Sequence, residues 1–190
     1  MGVAPLKAVF FDRDGVLNRV VFHDGNPGSP RLPEELRLTD GAAEALARLK
    51  DAGFMLICAT NQPELARGTL RPEALEAINA ELQRHLPLDE ILVCPHEDAA
   101  GCECRKPKPG LLTEAARRRQ IDLAASWMVG DRWRDVEAGA NAGCRTIMVE
   151  SEHHDRPPSI PPDRQVSSLK EAAEWILTAG AAPAQASVLD

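Results

Sequence analysis

Two carboxylates one residue apart, Asp12 and Asp14, close the apolar run from Leu6 to Phe11, and Gly15 follows them. Such a pair is often no more than a solvated turn. At a strand end it can also do chemistry. One carboxylate is then aimed at an electrophile or a metal ion, the glycine permits a sharp turn, and the second carboxylate swings in to give and take a proton. On that reading Asp12 is the candidate nucleophile and Asp14 the candidate general acid and base. Thr60-Asn61-Gln62 ends a second apolar run. Its hydroxyl and backbone amide suit a phosphoryl oxygen, although the same residues also make an ordinary helix-capping turn. Lys106 sits in Arg105-Lys106-Pro107-Lys108-Pro109-Gly110, where the prolines stiffen a loop that would otherwise leave a lysine solvated. Gly130-Asp131-Arg132-Trp133-Arg134-Asp135 follows another apolar run and supplies more carboxylates, which the start of a helix would also favour. Each segment alone has a bland explanation. Four of them in this order, each at the end of an apolar run, point to an enzyme site. Arg13, Asn61, Gln62, Arg105 and Arg132 adjoin these groups and are the candidate substrate-binding residues.

Cys94, His96, Cys102 and Cys104 gather three thiolates and an imidazole in one short loop. That ligand set suits a closed, tetrahedral zinc site. Four protein ligands leave no open position for substrate, so the expected role is structural, pinning the loop 94–104 that leads into Arg105 and Lys106. The chain has five cysteines, an odd number, and this clustering does not suit a disulfide framework. Cys58 and Cys144 stand apart and read as small core hydrophobes.

Several elements must bring these residues together. Apolar runs at 6–11, 54–59, 91–93, 127–129 and 146–149 read as strands, and helical spacing covers 41–52, 71–85, 109–120, 133–142 and 169–177. Strand and helix alternate, which predicts a three-layer, Rossmann-like α/β fold with a mainly parallel sheet and helices on both faces. Ligands of such sheets sit beyond the carboxyl ends of the strands, where Asp12, Thr60 and Asp131 fall. A length of 190 residues with 44% apolar content supports one core. The expected organisation is one domain over 1–180, with an exposed connection at 151–162 and a flexible tail at 181–190. No segment is long enough for a large cap domain. Short loops must shield the site, among them the Gly- and Pro-rich stretch 19–31 beside Asp12, where substrate choice is expected to lie. A net charge of −7 argues against nucleic acid as a partner. No apolar run approaches the roughly 20 residues that cross a bilayer, and no basic segment leads into a signal-peptide core. The expectation is a cytoplasmic monomer with no membrane partner.

Asp12-Arg13-Asp14-Gly15, Thr60, Lys106 and Gly130-Asp131 with Asp135 resemble the four motifs of the haloacid dehalogenase superfamily of phosphatases, over roughly residues 6–150. The resemblance implies catalytic magnesium held by Asp12, Asp131 and the backbone carbonyl of Asp14. It also implies a reaction in two steps. Asp12 attacks the phosphorus while Asp14 protonates the leaving oxygen, and Asp14 then activates water against the aspartyl-phosphate. Thr60 and Lys106 would bind phosphoryl oxygens, with Asp135 orienting Lys106 or a metal-bound water. A zinc loop running into Cys104-Arg105-Lys106-Pro107 resembles the branch that holds heptose bisphosphate and histidinol-phosphate phosphatases. Ala66-Arg67-Gly68 and Pro109-Gly110 favour the heptose side, which implies release of the C7 phosphate of a heptose 1,7-bisphosphate. The short cysteine spacing also resembles the histidinol-phosphate enzymes, so another small phosphorylated metabolite stays open as substrate. The stretch from Arg19 to Arg31 departs from the heptose pattern, and the chain contains no tyrosine. Two rivals are a signalling domain, which accepts a phosphoryl group once without turnover, and a zinc-bearing interaction module with no use for magnesium.

Overall fold

The computed structural model describes residues 5–151 and 156–179. The order of elements is β1 (Ala8–Phe11), β2 (Val21–His23), β3 (Asn26–Gly28), α1 (Ala42–Asp51), β4 (Met55–Asn61), α2 (Pro72–His85), β5 (Glu90–Cys94), α3 (Gly110–Arg119), β6 (Trp127–Gly130), α4 (Trp133–Ala142), β7 (Arg145–Val149), β8 (Arg164–Val166) and α5 (Leu169–Ala179).

β1 is buried along its whole length, so its side chains alternate between two dry faces rather than between core and water. Val9 and Phe11 join one core with Leu56, Cys58, Val129 and Ile147 from neighbouring strands, and that core is closed by α1, α2 and α5. Ala8 and Phe10 point the other way. They meet Ile57, Ala59 and Met128 under α3, and α4 packs on the same side, its Gly139 pressed against Met128 and Thr146. The sheet is thus covered on both faces, the three-layer α/β arrangement expected.

The six strands lie in the order β5-β4-β1-β6-β7-β8, and every pair is parallel. From β1 the chain first builds outward through β4 and β5, then returns to build outward on the other side. The order reverses at β1, so the carboxyl ends of β1, β4 and β6 open onto one crevice. β4 runs further than its apolar stretch suggests. Thr60 pairs with Val93 and Asn61 with Cys94, which carries both polar residues to the end of the ladder.

Two features were not read from the sequence. β2 and β3 form an antiparallel hairpin between β1 and α1, in the stretch expected to be loop. Its turn residues Asp24 and Gly25 have φ of 53° and 78°, the left-handed pair that a tight hairpin turn requires. β8 is a short edge strand whose Arg164 and Gln165 are exposed, so only Val166 carries a core signal. In the connection after β7, Arg156 stacks over the Trp133 ring at 3.4 Å and pairs with Glu137 at 3.2 Å. Residues 152–155 of that connection and the tail 181–190 lie outside the described residues. No helix among the described residues is long and apolar enough to cross a membrane.

Candidate active site

The residue after β1 is tied to the strand beside it, with Asp12 N donating to Val129 O at 2.9 Å. The turn that follows runs against Asp131, at the end of β6. Gly15 has φ +96°, and a Cβ there would lie 2.4 Å from Asp131 Oδ2. Gly15→Ala is therefore strained twice, by conformation and by contact. We expect it to cost about 1–3 kcal/mol, read as a melting temperature lower by several degrees, with activity falling further because Asp131 is pushed aside.

Lys106 is 2% exposed, and its ammonium lies 2.9 Å from Asp12 Oδ1 and 2.5 Å from Asp135 Oδ1. Asn61 brackets the lysine backbone, its Oδ1 accepting from Lys106 N and its Nδ2 donating to Lys106 O, both at 3.1 Å. Asp135 is fixed in turn by Arg132 N, which donates to its Oδ2 at the start of α4. Asp131 is fully buried, and neither carboxylate oxygen has a hydrogen-bond partner among the described residues. Oxygens of Asp12, Asp131 and Asp135 lie within 4.8 Å of one another. Burial is the main cause that pushes Asp12 up to about 6, against the pull of Lys106. Burial and the neighbouring carboxylates Asp135 and Asp12 push Asp131 up to about 8. Burial disfavours the Lys106 ammonium, yet Asp12 and Asp135 outweigh it and hold the charge firmly in place. A buried carboxylate with no donor calls for a proton or a cation, and a set of hard oxygens suits magnesium.

Asp14 is held differently. Its carboxylate accepts from Arg13 at 3.0 and 3.3 Å, Asn18 at 2.9 Å, Ser29 at 2.8 Å and Gln62 at 2.8 Å. Burial opposes its ionisation, but the Arg13 charge and these donors outweigh it and keep the carboxyl below the usual range. With its side chain so engaged, Asp14 stands outside the carboxylate trio of Asp12, Asp131 and Asp135. Arg13 and Gln62 are two of the donors to Asp14. Both are fully buried. Arg13 also donates to Asn79 Oδ1, and Gln62 also donates to Thr60 Oγ1. The turn after β1 folds Arg13 inward, where it and Gln62 hold Asp14 from behind.

Above them lies a cleft of about 270 Å³, lined at its floor by Asp12, Asp14, Thr60, Asn61 and Lys106. Arg67, Arg105, Arg132 and Arg134 also line it. Asp98, on the zinc loop, takes Arg105 at 2.8 Å and Arg134 at 2.9 Å, which ties that loop to the start of α4. Asn18, Ser29, Glu64 and Arg134 were missed as site residues. Arg134 lay within the fourth motif, and the Asp24-Gly25 hairpin signal would have brought Ser29 near the site. Asn18 and Glu64 carry no pattern that marks them.

Cys94, His96, Cys102 and Cys104 come together as the spacing suggests. Five of their ligand-atom separations run from 3.2 to 3.7 Å. A tetrahedron with zinc–sulfur bonds of about 2.3 Å has edges of about 3.8 Å, so the four groups fit zinc with little movement. Burial opposes a thiolate at Cys102, yet hydrogen bonds from Cys104, Arg105 N and Cys94 draw it down to about 7.

This fold, with its acidic strand ends around a buried lysine, places the chain in the class of haloacid dehalogenase-like hydrolases. The Hydrolase_like family model, described as HAD-hydrolase-like, matches residues 103–172. Relatives extend the match to the rest of the chain. The D-glycero-beta-D-manno-heptose-1,7-bisphosphate 7-phosphatase of Bordetella bronchiseptica is 38% identical over 151 residues, covering 77% of this chain and 82% of that protein. The enzyme of the same name from Escherichia coli is 33% identical over 186 residues, covering 90% and 88%. A crystal structure of the B. bronchiseptica D,D-heptose 1,7-bisphosphate phosphatase, complexed with magnesium and phosphate, superposes with a TM-score of 0.76 at 34% identity, covering 92% of this chain and 99% of that one. The chain belongs to the haloacid dehalogenase-like phosphatase family that these enzymes represent.

Proposed function

We propose that the chain hydrolyses a sugar phosphomonoester through an aspartyl-phosphate on Asp12, and that the group removed is the C7 phosphate of D-glycero-D-manno-heptose 1,7-bisphosphate. The observation that carries the mechanism is the position of Asp12: at the strand reversal, facing the cleft, with the Lys106 ammonium 2.9 Å from its carboxylate. Asp12, Asp131 and the backbone carbonyl of Asp14 would hold magnesium, which when bound supplies positive charge between the nucleophile and an anionic phosphoryl group. The orphaned oxygens of Asp131 support that assignment.

In the first step a bond forms between Asp12 and phosphorus while the bond to the leaving oxygen breaks, and Asp14 gives that oxygen a proton. In the second, Asp14 takes a proton from water, and the water oxygen replaces Asp12 on phosphorus. The donors around Asp14 favour its anion, the form the second step needs. The first step requires Asp14 to be drawn off part of that cage. Lys106 offsets charge on the phosphoryl oxygens, Asp135 holds Lys106 in place, and the Thr60 hydroxyl, positioned by Gln62, donates to one of those oxygens. Arg105 and Arg132 at the cleft suit the second phosphate of a bisphosphate.

Every group in this scheme comes from one chain, which is consistent with a monomer. One sheet runs from residue 8 to residue 166 and α5 packs on it, so we assign residues 1–180 to one catalytic unit. A thiolate zinc site suits the reducing cytoplasm. Phosphate release should be measured across heptose 1,7-bisphosphate, other sugar bisphosphates and histidinol phosphate, with magnesium present. The heptose bisphosphate should give the highest kcat/KM and lose one phosphate per molecule. A higher kcat/KM for histidinol phosphate would overturn the substrate assignment, and no release from any of them would overturn the phosphatase mechanism.

A further inference from the structure

Glu64 is a carboxylate whose side chain pairs with Arg67 at long range and accepts no hydrogen bond among the described residues. Its main chain is fixed, because its carbonyl accepts from Thr69 N at 3.0 Å and Leu70 N at 3.1 Å. Its side chain is not. Oε2 is buried and has no hydrogen-bond partner among the described residues, and Oε1 lies 3.9 Å from Arg67, beyond hydrogen-bond reach. A buried carboxylate oxygen without a donor is costly, so something outside the chain is needed to offset it.

The place of Glu64 indicates what that is. It lines the catalytic cleft and also a second cavity of about 230 Å³ beside the hairpin, which shares Ser29 with the cleft and adds His23, Asn26 and Arg31. Arg67, Arg105, Arg132 and Arg134 line the cleft but not this second space. Glu64 lines both spaces, and the second carries one arginine, Arg31, where the cleft carries four. A phosphate next to Glu64 would meet like charge, whereas a hydroxyl would give the carboxylate a charge-assisted hydrogen bond. The nearby side chains are already braced, His23 Nε2 against Ser29 O at 2.9 Å and Asn26 Nδ2 against Asp24 O at 3.3 Å. Their arrangement is set before a ligand arrives.

We propose that the cavity between the hairpin and Glu64 is a subsite for the polyhydroxylated carbon chain of the substrate, in which Glu64 accepts hydrogen bonds from its hydroxyls. The inference rests on the phosphatase reading but does not need the heptose to be the substrate. It makes Glu64 a specificity-determining residue, and it explains why the hairpin lies against the site.

Sorbitol 6-phosphate and hexyl phosphate test it, since both are six-carbon phosphomonoesters and only the first carries hydroxyls along the chain. The full-length wild-type protein should prefer sorbitol 6-phosphate in kcat/KM. In Glu64→Ala that preference should shrink about tenfold or more, the worth of a hydrogen bond to a charged group. Glu64→Gln, which keeps an acceptor of the same shape, should retain part of it. Equal losses on both substrates, or an unchanged ratio, would overturn the subsite. If heptose bisphosphate is not hydrolysed and yet the ratio collapses, the substrate assignment fails and the subsite stands. If the wild type hydrolyses heptose bisphosphate and yet releases phosphate from neither probe, the subsite fails and the phosphatase reading stands.

Discussion

Asp12→Asn should lower kcat by at least about a thousandfold, because an amide neither attacks phosphorus nor binds a hard cation well. The fold should survive. An amide has almost the volume of the carboxylate, and Lys106 keeps its partner Asp135 at 2.5 Å. Without magnesium the variant should also respond less to pH. Asp12 and Asp131 are raised from 3.8 to about 6 and about 8. Over that range the folded chain holds protons that the unfolded chain has released, so stability falls as pH rises from about 4 to about 8. Asp14, lowered below 3.8, and Lys106, raised above 10.5, change stability only outside that window. The Asp12→Asn substitution removes one of the two contributions and weakens the other by removing a like charge near Asp131. Thermal melts of magnesium-free protein at about pH 5 and about pH 8 should therefore differ less in Asp12→Asn than in the wild type. Retained phosphatase activity in this variant would sink the mechanism.

Loss of zinc should do almost as much to activity and far more to stability. Structural zinc contributes about 10–16 kcal/mol of apparent binding free energy in small zinc-binding peptides, and here it would close the loop that leads into Lys106. Cys94 is buried at the end of β5, and Cys102 and Cys104 pack partly against the second core. Beyond the ligands, the loop is held by polar contacts near the surface. Among them, Gly110 N donates to Glu103 O at 3.1 Å, and Asp98 bridges Arg105 and Arg134. Chelation of reduced protein should lower the melting temperature by about 10 °C or more and remove most activity even with magnesium supplied, since Lys106 loses its placement. Metal analysis should find close to one zinc per chain, retained when magnesium is dialysed away and lost in Cys104→Ser. A zinc-free chain with unchanged melting and turnover would contradict the structural role.

Elements with one strong period were legible in the sequence. Helix α4 runs over the expected 133–142, and each strand carrying a site residue ends within two residues of its expected end. The strand reversal at β1 gathers Asp12, Thr60 and Asp131 because parallel strands all present the same end to one crevice. Side-chain direction inside turns was not legible. Arg13 and Gln62 are types that usually meet water or ligand, and only the folded turn shows them buried behind Asp14. The hairpin was hidden by Pro27 and Gly28, which read as loop although Asp24-Gly25 marks a tight turn. Glu64 is one acid in a loop, and its significance appears only with the cavities on either side of it.

The central claim is that Asp12 carries the phosphoryl group between the two steps. Asp14→Asn removes the base that starts the second step, while p-nitrophenyl phosphate has a leaving group that departs without a donated proton. Mixed with that substrate and quenched in acid, Asp14→Asn should carry one phosphoryl group per chain, located on the peptide containing Asp12 and released by hydroxylamine. Turnover with no adduct, or an adduct on any other residue, would contradict the account.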